Sequence, residues 1–191
     1  MNKIVALDIG GVCLNLRFEL CREYLGGAGA EEVPTQLLAA SDQYERGLLS
    51  EKDWLEIFTS VTEGRFTEDE LRHAWNLIIG DAISGMPELV NDIVNAGFRA
   101  IFFSDTSELH LMHIYRNLPF AHLVSGGIYS FKVGSKKPED KMYESFQEEY
   151  GRPYLYTDDK EENVAAGIKH GWNSRKFVSA AELRKELASI F

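Results

Sequence analysis

Lys3-Ile4-Val5-Ala6-Leu7-Asp8-Ile9-Gly10-Gly11-Val12 (residues 3–12) is an apolar run that leads into an aspartate and two glycines. The unbroken run from Ile4 to Leu7 is typical of a strand covered on both faces, as in the middle of a parallel sheet. Asp8 is then expected at the carboxyl end of this strand, where open α/β sheets bind their ligands. An aspartate that only caps the following helix is the competing interpretation, and both are kept at this point.

The composition narrows the class of protein. A length of 191 residues with 45% hydrophobic residues fits one domain, or one core domain with a small insert. A net charge of −10 argues against nucleic acid or an anionic membrane as the main partner. Cys13 and Cys21 are too few for a disulfide scaffold, so we expect reduced thiols in a cytoplasmic protein. No apolar run is long enough to span a bilayer, and the run that ends in Asp8 is too short for a signal peptide.

Residues 14–82 show helical patterns with polar breaks and no strand-like run. Four helices are predicted: from about Phe18 to Leu25, from Pro34 to Gly47, after the N-cap Ser50, and from the N-cap Thr67 through Ile79. Helices inserted directly after the first strand would lie over its carboxyl end as a lid. We therefore predict a core domain of residues 1–13 and 83–191 and a four-helix cap domain of residues 14–82.

From Pro87 onward, strands alternate with helices, which predicts an α/β fold with a parallel sheet and right-handed crossovers. The predicted strands cover 99–103, the region near 122–125, 154–157, and the region near 175–178. The predicted helices cover 87–96, 108–117, 139–150, a segment around 164–168 that stops at Gly171, and a final segment that runs to Phe191.

Polar side chains follow three of the strands, as Asp8, Ser104-Asp105 and Asp158-Asp159, and Lys137 precedes a helix. Parallel strands end at one edge of a sheet, so these groups are expected to converge. Carboxylates packed together repel each other unless a cation neutralises them, and Mg²⁺ prefers such oxygen ligands. A hydroxyl and an ammonium nearby would hold phosphate oxygens. The pattern therefore indicates phosphoryl transfer, for which an aspartate nucleophile is a known covalent route.

These motifs, Asp8-Ile9-Gly10-Gly11-Val12, Ser104, Lys137-Pro138 and Asp158-Asp159, occur in an order that resembles the haloacid dehalogenase (HAD) superfamily along nearly the whole chain. The stretches 45–50, 103–106 and 137–139 are most similar to its sugar-phosphate phosphatase branch, near bacterial α-glucose-1-phosphate phosphatase-like proteins. The resemblance implies a Rossmann-like, three-layer α/β/α parallel sheet with an inserted four-helix C1-type cap.

The resemblance also implies the metal ligands. Asp8 would be both the nucleophile and a Mg²⁺ ligand, and the backbone carbonyl of Gly10 would be a second ligand. Asp158 would bind the ion directly, and Asp159 would act through water or as a further ligand.

The phosphate contacts follow from the same resemblance. Ser104 would donate a hydrogen bond to the phosphate, helped by backbone N–H groups near Gly11 and Asp105. Lys137 would pair with both Asp8 and the phosphate. In the cap, Glu45 and Arg46 stand at a break between helices where a lid would touch substrate, and a solvated turn is the alternative for both.

Gly10 departs from the pattern of the family's phosphatases. They usually carry a second aspartate two residues after the nucleophile, which protonates the leaving group and then activates the water. General acid–base help is worth about a hundred- to ten-thousand-fold in rate, so Gly10 bears on turnover rather than on phosphate or Mg²⁺ binding. Water, Asn15 and a cap residue are the candidates to replace the acid. Leaving groups of low pKa would be affected least.

The leading hypothesis is a Mg²⁺-dependent phosphatase of small, sugar-phosphate-like metabolites, acting through an aspartyl-phosphate on Asp8. A weakly active or inactive relative that binds a phosphorylated metabolite or a partner protein is the alternative that Gly10 motivates, and a dehalogenase is a third. The expected partner is a small-molecule phosphate ester, not nucleic acid or membrane, and the chain would be a monomer or a homodimer.

Other conspicuous side chains are interpreted as structural. His110 and His113 lie three residues apart without a nearby carboxylate pattern, so they are expected at the surface rather than in a metal site. Trp54 and Trp75 are expected in the core of the cap.

Overall fold

The structure is a computed structural model that describes residues 3–26 and 34–188. Its strands are β1 (Ile4–Leu7), β2 (Leu14–Leu16), β3 (Ile79–Ala82), β4 (Arg99–Ser104), β5 (Gly127–Tyr129), β6 (Leu155–Asp158) and β7 (Ser174–Lys176). Its helices are α1 (Phe18–Gly26), α2 (Thr35–Glu45), α3 (Glu51–Val61), α4 (Glu68–Asn76), α5 (Met86–Asn95), α6 (Glu108–Asn117), α7 (Ser130–Val133), α8 (Asp140–Tyr150), α9 (Glu161–Lys169) and α10 (Ala180–Glu186), and a 3₁₀ turn covers Ala121–Leu123.

The central sheet has five strands in the order β5-β4-β1-β6-β7, and every neighbouring pair is parallel. The first strand is the middle one, and all four of its residues are buried. Leu7 lies beside Phe102 of β4 on one side and Thr157 of β6 on the other. The α/β prediction is confirmed, and this register brings the residues that follow the three strands to one edge of the sheet.

The sheet is covered on both faces, which gives the predicted three layers. Val5 and Leu7 belong to an apolar cluster with residues of α5, α6 and α10. Ile4 and Ala6 belong to a second cluster with residues of α8 and Trp172. Successive strand residues point to opposite faces, so an unbroken apolar run supplies both cores at once.

Helices α1 to α4 surround an apolar cluster of their own, to which Leu109 of α6 also contributes. Trp54 is fully buried and stacks on Tyr44 with ring centroids 4.9 Å apart. The predicted N-caps are confirmed, since the side chains of Ser50 and Thr67 accept hydrogen bonds from the third helical N–H. The expectation that Trp54 is a core residue is also confirmed, whereas Trp75 belongs to the same cluster but also stacks on His110 of α6.

Two short strands at the ends of this helical segment were not predicted. β2 pairs antiparallel with β3, and α4 ends at Asn76 rather than continuing through Ile79. The expectation that 14–82 contains no strand is therefore wrong. A three-residue strand such as β2 is too short to show a period of two, and its partner lies far away in the chain.

The prediction of a strand near 122–125 is also wrong. A 3₁₀ turn lies there, the edge strand β5 begins at Gly127, and the unpredicted helix α7 follows it. The edge strand needs a glycine at Gly127, because a Cβ atom there would lie 2.9 Å from the carbonyl oxygen of Phe102. Phe191, the expected end of the last helix, lies outside the described residues.

No helix among residues 3–26 and 34–188 combines the length and the apolar character that a membrane span requires.

Candidate active site

A pocket lies at the edge of the sheet where β1, β4 and β6 end. We call floor the polar residues that line the pocket from the ends of these strands, from loops and from helix starts, together with the buried Asp158, which contacts Lys137: Asp8, Ser104, Asp105, Thr106, Lys137, Asp158, Asp159, Lys160 and Asn163. We call wall a second group of residues that line the pocket, most of them apolar: Leu14, Leu16, Phe18, Glu45, Trp75, Ile78, Ile79, His110 and Ile114. Most of the predicted site residues are therefore brought together in one place.

Lys137 connects the floor. Its Nζ lies 2.9 Å from Oδ1 of Asp8 and 2.6 Å from Oδ2 of Asp158, and it donates to the carbonyl of Phe103 at 2.8 Å. The side chain is only 1% exposed. Burial alone would lower the pKa of Lys137, but the two carboxylates outweigh it and raise that pKa well above its usual value. Lys137 is therefore a permanent cation against the predicted nucleophile.

Asp158 is saturated with hydrogen bonds. Its Oδ2 accepts from Lys137 and from the hydroxyl of Tyr156 at 2.6 Å. Its Oδ1 accepts from the backbone N–H of Lys160 at 2.9 Å and from Nδ2 of Asn163 at 3.0 Å. Burial opposes ionisation here, but Lys137 and these donors lower the pKa of Asp158. The carboxylate holds Lys137 in place.

Asp159 contrasts with its neighbour. Its Oδ1 is buried and has no hydrogen-bond partner among the described residues. Burial and the charge of Asp158 both raise the pKa of Asp159. One carboxylate oxygen from each of Asp8, Asp158 and Asp159 lies within 4.8 Å of the others. A buried carboxylate oxygen without a donor lacks the partner that a bound cation would supply.

The charges of this cluster do not balance. Asp8, Asp158 and Asp159 carry three negative charges when ionised, and Lys137 supplies one positive charge, which leaves an excess of two. Burial is the main reason that the pKa of Asp8 is raised to about 7, with Lys137 opposing the shift and Asp158 adding to it. An all-oxygen donor set with this excess fits a hard divalent cation such as Mg²⁺.

Ser104 and Asp105 lie where the sequence predicted them, at the end of β4. Ser104 is buried on the floor, and its hydroxyl donates weakly to the carbonyl of Asp105 at 3.3 Å. The carboxylate of Asp105 accepts from the backbone N–H of Lys137 at 2.9 Å. Burial raises the pKa of Asp105, against the opposing charge of Lys137. Asp105 therefore also fixes the loop that carries Lys137.

Gly11 is required by close packing. Its φ is +73°, and a Cβ atom there would lie 2.6 Å from Oδ2 of Asp159. Its N–H donates to the carbonyl of Leu14 at 2.9 Å, so in this structure it is engaged in the turn and is not turned toward the pocket as a phosphate donor.

Gly10 lies against the wall. A Cβ atom at this position would come within 2.8 Å of Cδ1 of Leu16. The place where the family's phosphatases carry an acid is thus occupied by a leucine from β2. Asn15, one candidate to replace the acid, donates instead to the carbonyl of Asp81 at 3.2 Å.

Glu45 and Arg46 join the helical segment to the core. Oε2 of Glu45 lies 2.7 Å from Nζ of Lys136, and Glu45 also faces the pocket. Arg46 binds Asp42 at 2.9 Å and Glu139 at 2.8 Å, and it does not line the pocket. Both side chains are partly exposed and paired with charged groups, and the structure does not bring Arg46 to the predicted substrate contact.

His110 belongs to the wall, and its predicted surface position is wrong. Its side chain is 5% exposed, stacks on Trp75 at 4.7 Å and brings Nε2 within 2.9 Å of the carbonyl of Trp75. Burial lowers its pKa to about 4, so the ring is neutral at pH 7. Sequence reasoning also missed Tyr156 and Asn163, because both act through Asp158 and neither stands in a motif.

The sequence matches no protein-family model and no curated protein. Solved structures, however, are similar to nearly the whole chain. The HAD family enzyme BT-2542 from Bacteroides thetaiotaomicron is 18% identical, with a TM-score of 0.86 over 97% of this chain and 98% of that one. A predicted HAD-like family hydrolase from Porphyromonas gingivalis is 16% identical, with a TM-score of 0.75 over 99% of this chain and 97% of that one.

A third similar structure is L-2-haloacid dehalogenase from Xanthobacter autotrophicus with chloropropionic acid covalently bound. It is 15% identical, with a TM-score of 0.67 over 99% of this chain and 83% of that one. At these identities the likeness is one of fold. The chain has the HAD-like α/β fold, as the resemblance implied.

Proposed function

We propose that the chain is an HAD-superfamily hydrolase, a Mg²⁺-dependent phosphatase of small phosphate esters. The observation that carries the proposal is the unbalanced cluster in which Lys137 contacts Asp8 while a buried oxygen of Asp159 lacks a partner. BT-2542, which is similar in fold, was crystallised in complex with magnesium and inorganic phosphate.

In this proposal Asp8 attacks the phosphorus, and an aspartyl-phosphate forms as the bond to the leaving oxygen breaks. Lys137 and the hydroxyl of Ser104 hold phosphate oxygens and offset the charge that accumulates on them. Water then cleaves the intermediate and regenerates Asp8. Bound Mg²⁺ would supply further charge neutralisation at the phosphate.

The contacts favour a particular division of labour between the adjacent carboxylates. Asp8, Asp159 and the carbonyl of Gly10 would hold the ion, because the free buried oxygen belongs to Asp159. All four hydrogen bonds of Asp158 are already made, so it would orient Lys137 and act on the ion indirectly. The resemblance implied the opposite roles, with Asp158 as the direct ligand and Asp159 acting through water or as a further ligand.

The helical segment 14–82 would act as a cap over a core of 1–13 and 83–191. Its residues supply most of the wall, so it would select the ester. The preference for sugar phosphates, the small-molecule partner, the cytoplasmic location and the monomeric or dimeric state stay predictions.

Turnover of p-nitrophenyl phosphate tests the proposal, with Mg²⁺ and with EDTA. We expect Mg²⁺-dependent release of p-nitrophenol that falls by roughly a thousandfold or more in Asp8→Asn. Asp69→Asn is the matched control, since the side chain of Asp69 is exposed on α4, and it should retain wild-type activity. A folded wild-type protein that hydrolyses no activated ester with Mg²⁺ would refute the proposal.

A phosphate-binding protein without useful turnover is the second candidate, and the observation that favours it is the leucine in place of an acid beside Gly10. Calorimetry would then show binding of inorganic phosphate with Mg²⁺ while p-nitrophenyl phosphate stays intact. A dehalogenase using Asp8 fits less well, because a site without a metal would keep the excess of two negative charges. Chloride release from 2-chloropropionate in EDTA would revive it.

A further inference from the structure

The wall of the pocket is apolar where a leaving group would lie. Leu16 is 42% exposed and Phe18 is 54% exposed. Both border the pocket, and Trp75, Ile78 and Ile114 continue the same surface inward. Large apolar side chains left half exposed beside a charged site are typical of a binding surface for an apolar group.

The polar side chains of the wall are already engaged or uncharged. The carboxylate of Glu45 is paired with Lys136 at 2.7 Å. His110 lies with Nε2 within 2.9 Å of the carbonyl of Trp75, to which it donates. Each hydroxyl of a bound sugar would need a partner to replace the water it leaves, because an unpaired polar group loses its hydrogen bonds. The wall offers few such partners.

The position two residues after the nucleophile carries no acid, because it is Gly10. Gly10 has no positive φ, so its backbone could carry a side chain. The space is instead filled by Leu16, whose Cδ1 would be 2.8 Å from a Cβ atom there. Gly10 therefore offers no acid to protonate a leaving oxygen, and the side chain beside it is the apolar Leu16.

We propose that the pocket serves aryl phosphates, whose leaving group is apolar and leaves as a weakly basic phenolate. The inference rests on the proposed phosphatase function and narrows its substrate class. The bond from Asp8 to phosphorus forms, the bond from phosphorus to the phenolic oxygen breaks, and its electron pair stays on that oxygen. Phenols ionise near pH 10, as tyrosine does, so a phenolate is much less basic than an alkoxide and depends less on protonation in the transition state.

Four substrates separate this inference from the proposed function. Phenyl phosphate and cyclohexyl phosphate have similar size and apolarity but differ in the basicity of the leaving group. Glucose 1-phosphate adds hydroxyls, and acetyl phosphate is activated but has no ring. We expect kcat/KM for phenyl phosphate to exceed that for cyclohexyl phosphate and glucose 1-phosphate by about a hundredfold or more.

Failure of the inference and failure of the proposed function give different results with these substrates. Glucose 1-phosphate turned over as fast as phenyl phosphate would overturn the inference and leave a phosphatase. If even acetyl phosphate stays intact with Mg²⁺, the proposed function fails and the inference fails with it.

Variants of the wall supply a second test. Phe18→Ala should lower kcat/KM for phenyl phosphate about tenfold, mainly through KM, and should affect acetyl phosphate much less. Leu48→Ala is the matched control, because Leu48 is 63% exposed and lies outside the pocket. An equal loss on both esters would mean that Phe18 serves closure of the cap rather than the ring, and would overturn the inference.

The missing acid can be restored. Gly10→Asp combined with Leu16→Ala places a carboxyl beside the leaving group and removes the leucine that blocks it. We expect the preference for phenyl over cyclohexyl phosphate to shrink by about tenfold, relative to Leu16→Ala alone. An unchanged preference in a variant with a wild-type thermal transition would show that protonation does not limit the choice, and would contradict the proposal.

Discussion

The floor and the wall of the pocket differ in charge, burial and the kind of contact that their side chains make. On the floor, Lys137 and Asp158 are buried, ionised and bound to defined partners at 2.6 to 3.0 Å. On the wall, Leu16 and Phe18 are half exposed and touch the pocket through apolar surface alone. A charged site tolerates little change because each unpaired group is costly, whereas an apolar wall can be reshaped at small cost.

The largest expected effect is the loss of the buried ammonium. Lys137→Met leaves Asp8 and Asp158 buried without their counter-charge, and we expect the free energy of unfolding to fall by about 3 to 5 kcal/mol. Urea unfolding at pH 7.5 without Mg²⁺ measures it. Lys169→Met is the control, because the pair of Lys169 with Asp140 is exposed and should contribute little to stability. A similar fall in unfolding free energy in the two variants would show that the buried ion pairs of the floor stabilise the protein no more than an exposed pair.

Substitutions of the adjacent carboxylates Asp158 and Asp159 should change stability by smaller amounts and differently from each other. Asp158→Asn disrupts hydrogen bonds to a buried charge and should cost about 1.5 to 3 kcal/mol of unfolding free energy. Asp159→Asn removes a charge that Asp158 repels, so without Mg²⁺ it should leave stability unchanged or higher. Thermal unfolding with and without Mg²⁺ checks the pair, and stabilisation by Mg²⁺ should be lost in Asp159→Asn. If Asp158→Asn is the tolerated change, the proposed roles are reversed.

The smallest effect comes from the wall and depends on pH. The pKa of His110 is lowered by burial from its ordinary 6.5 to about 4, so between these values the unfolded chain binds more protons than the folded one. Stability is therefore lost as the pH falls, and wild type should be about 2 kcal/mol less stable at about pH 5 than at neutral pH.

Urea unfolding of His110→Gln should show that this part of the pH dependence disappears. His122→Gln, which changes an exposed histidine, should keep it. An unchanged slope in His110→Gln would mean that another group titrates.

Local signals explain why part of the structure could be predicted. The N-caps Ser50 and Thr67 bond to groups three residues away, so a short stretch of sequence already contains both partners. The ribbon of β2 and β3 could not be found in this way, because Leu16 pairs with Ile79 across the whole helical segment. The wall of the pocket could not be predicted for the same reason, since Leu16 and Trp75 border one pocket only after these strands pair.

By itself the sequence determined the α/β fold and the convergence of Asp8, Ser104, Lys137 and Asp158. An apolar run specifies a buried strand, and parallel strands end at one edge, so residues after them must meet. The tertiary structure alone decided that Asp158 is saturated while Asp159 keeps a free buried oxygen, and that Leu16 fills the space beside Gly10. Such choices depend on donors and side chains from distant segments, whose relative positions are fixed only when the helices and strands pack together.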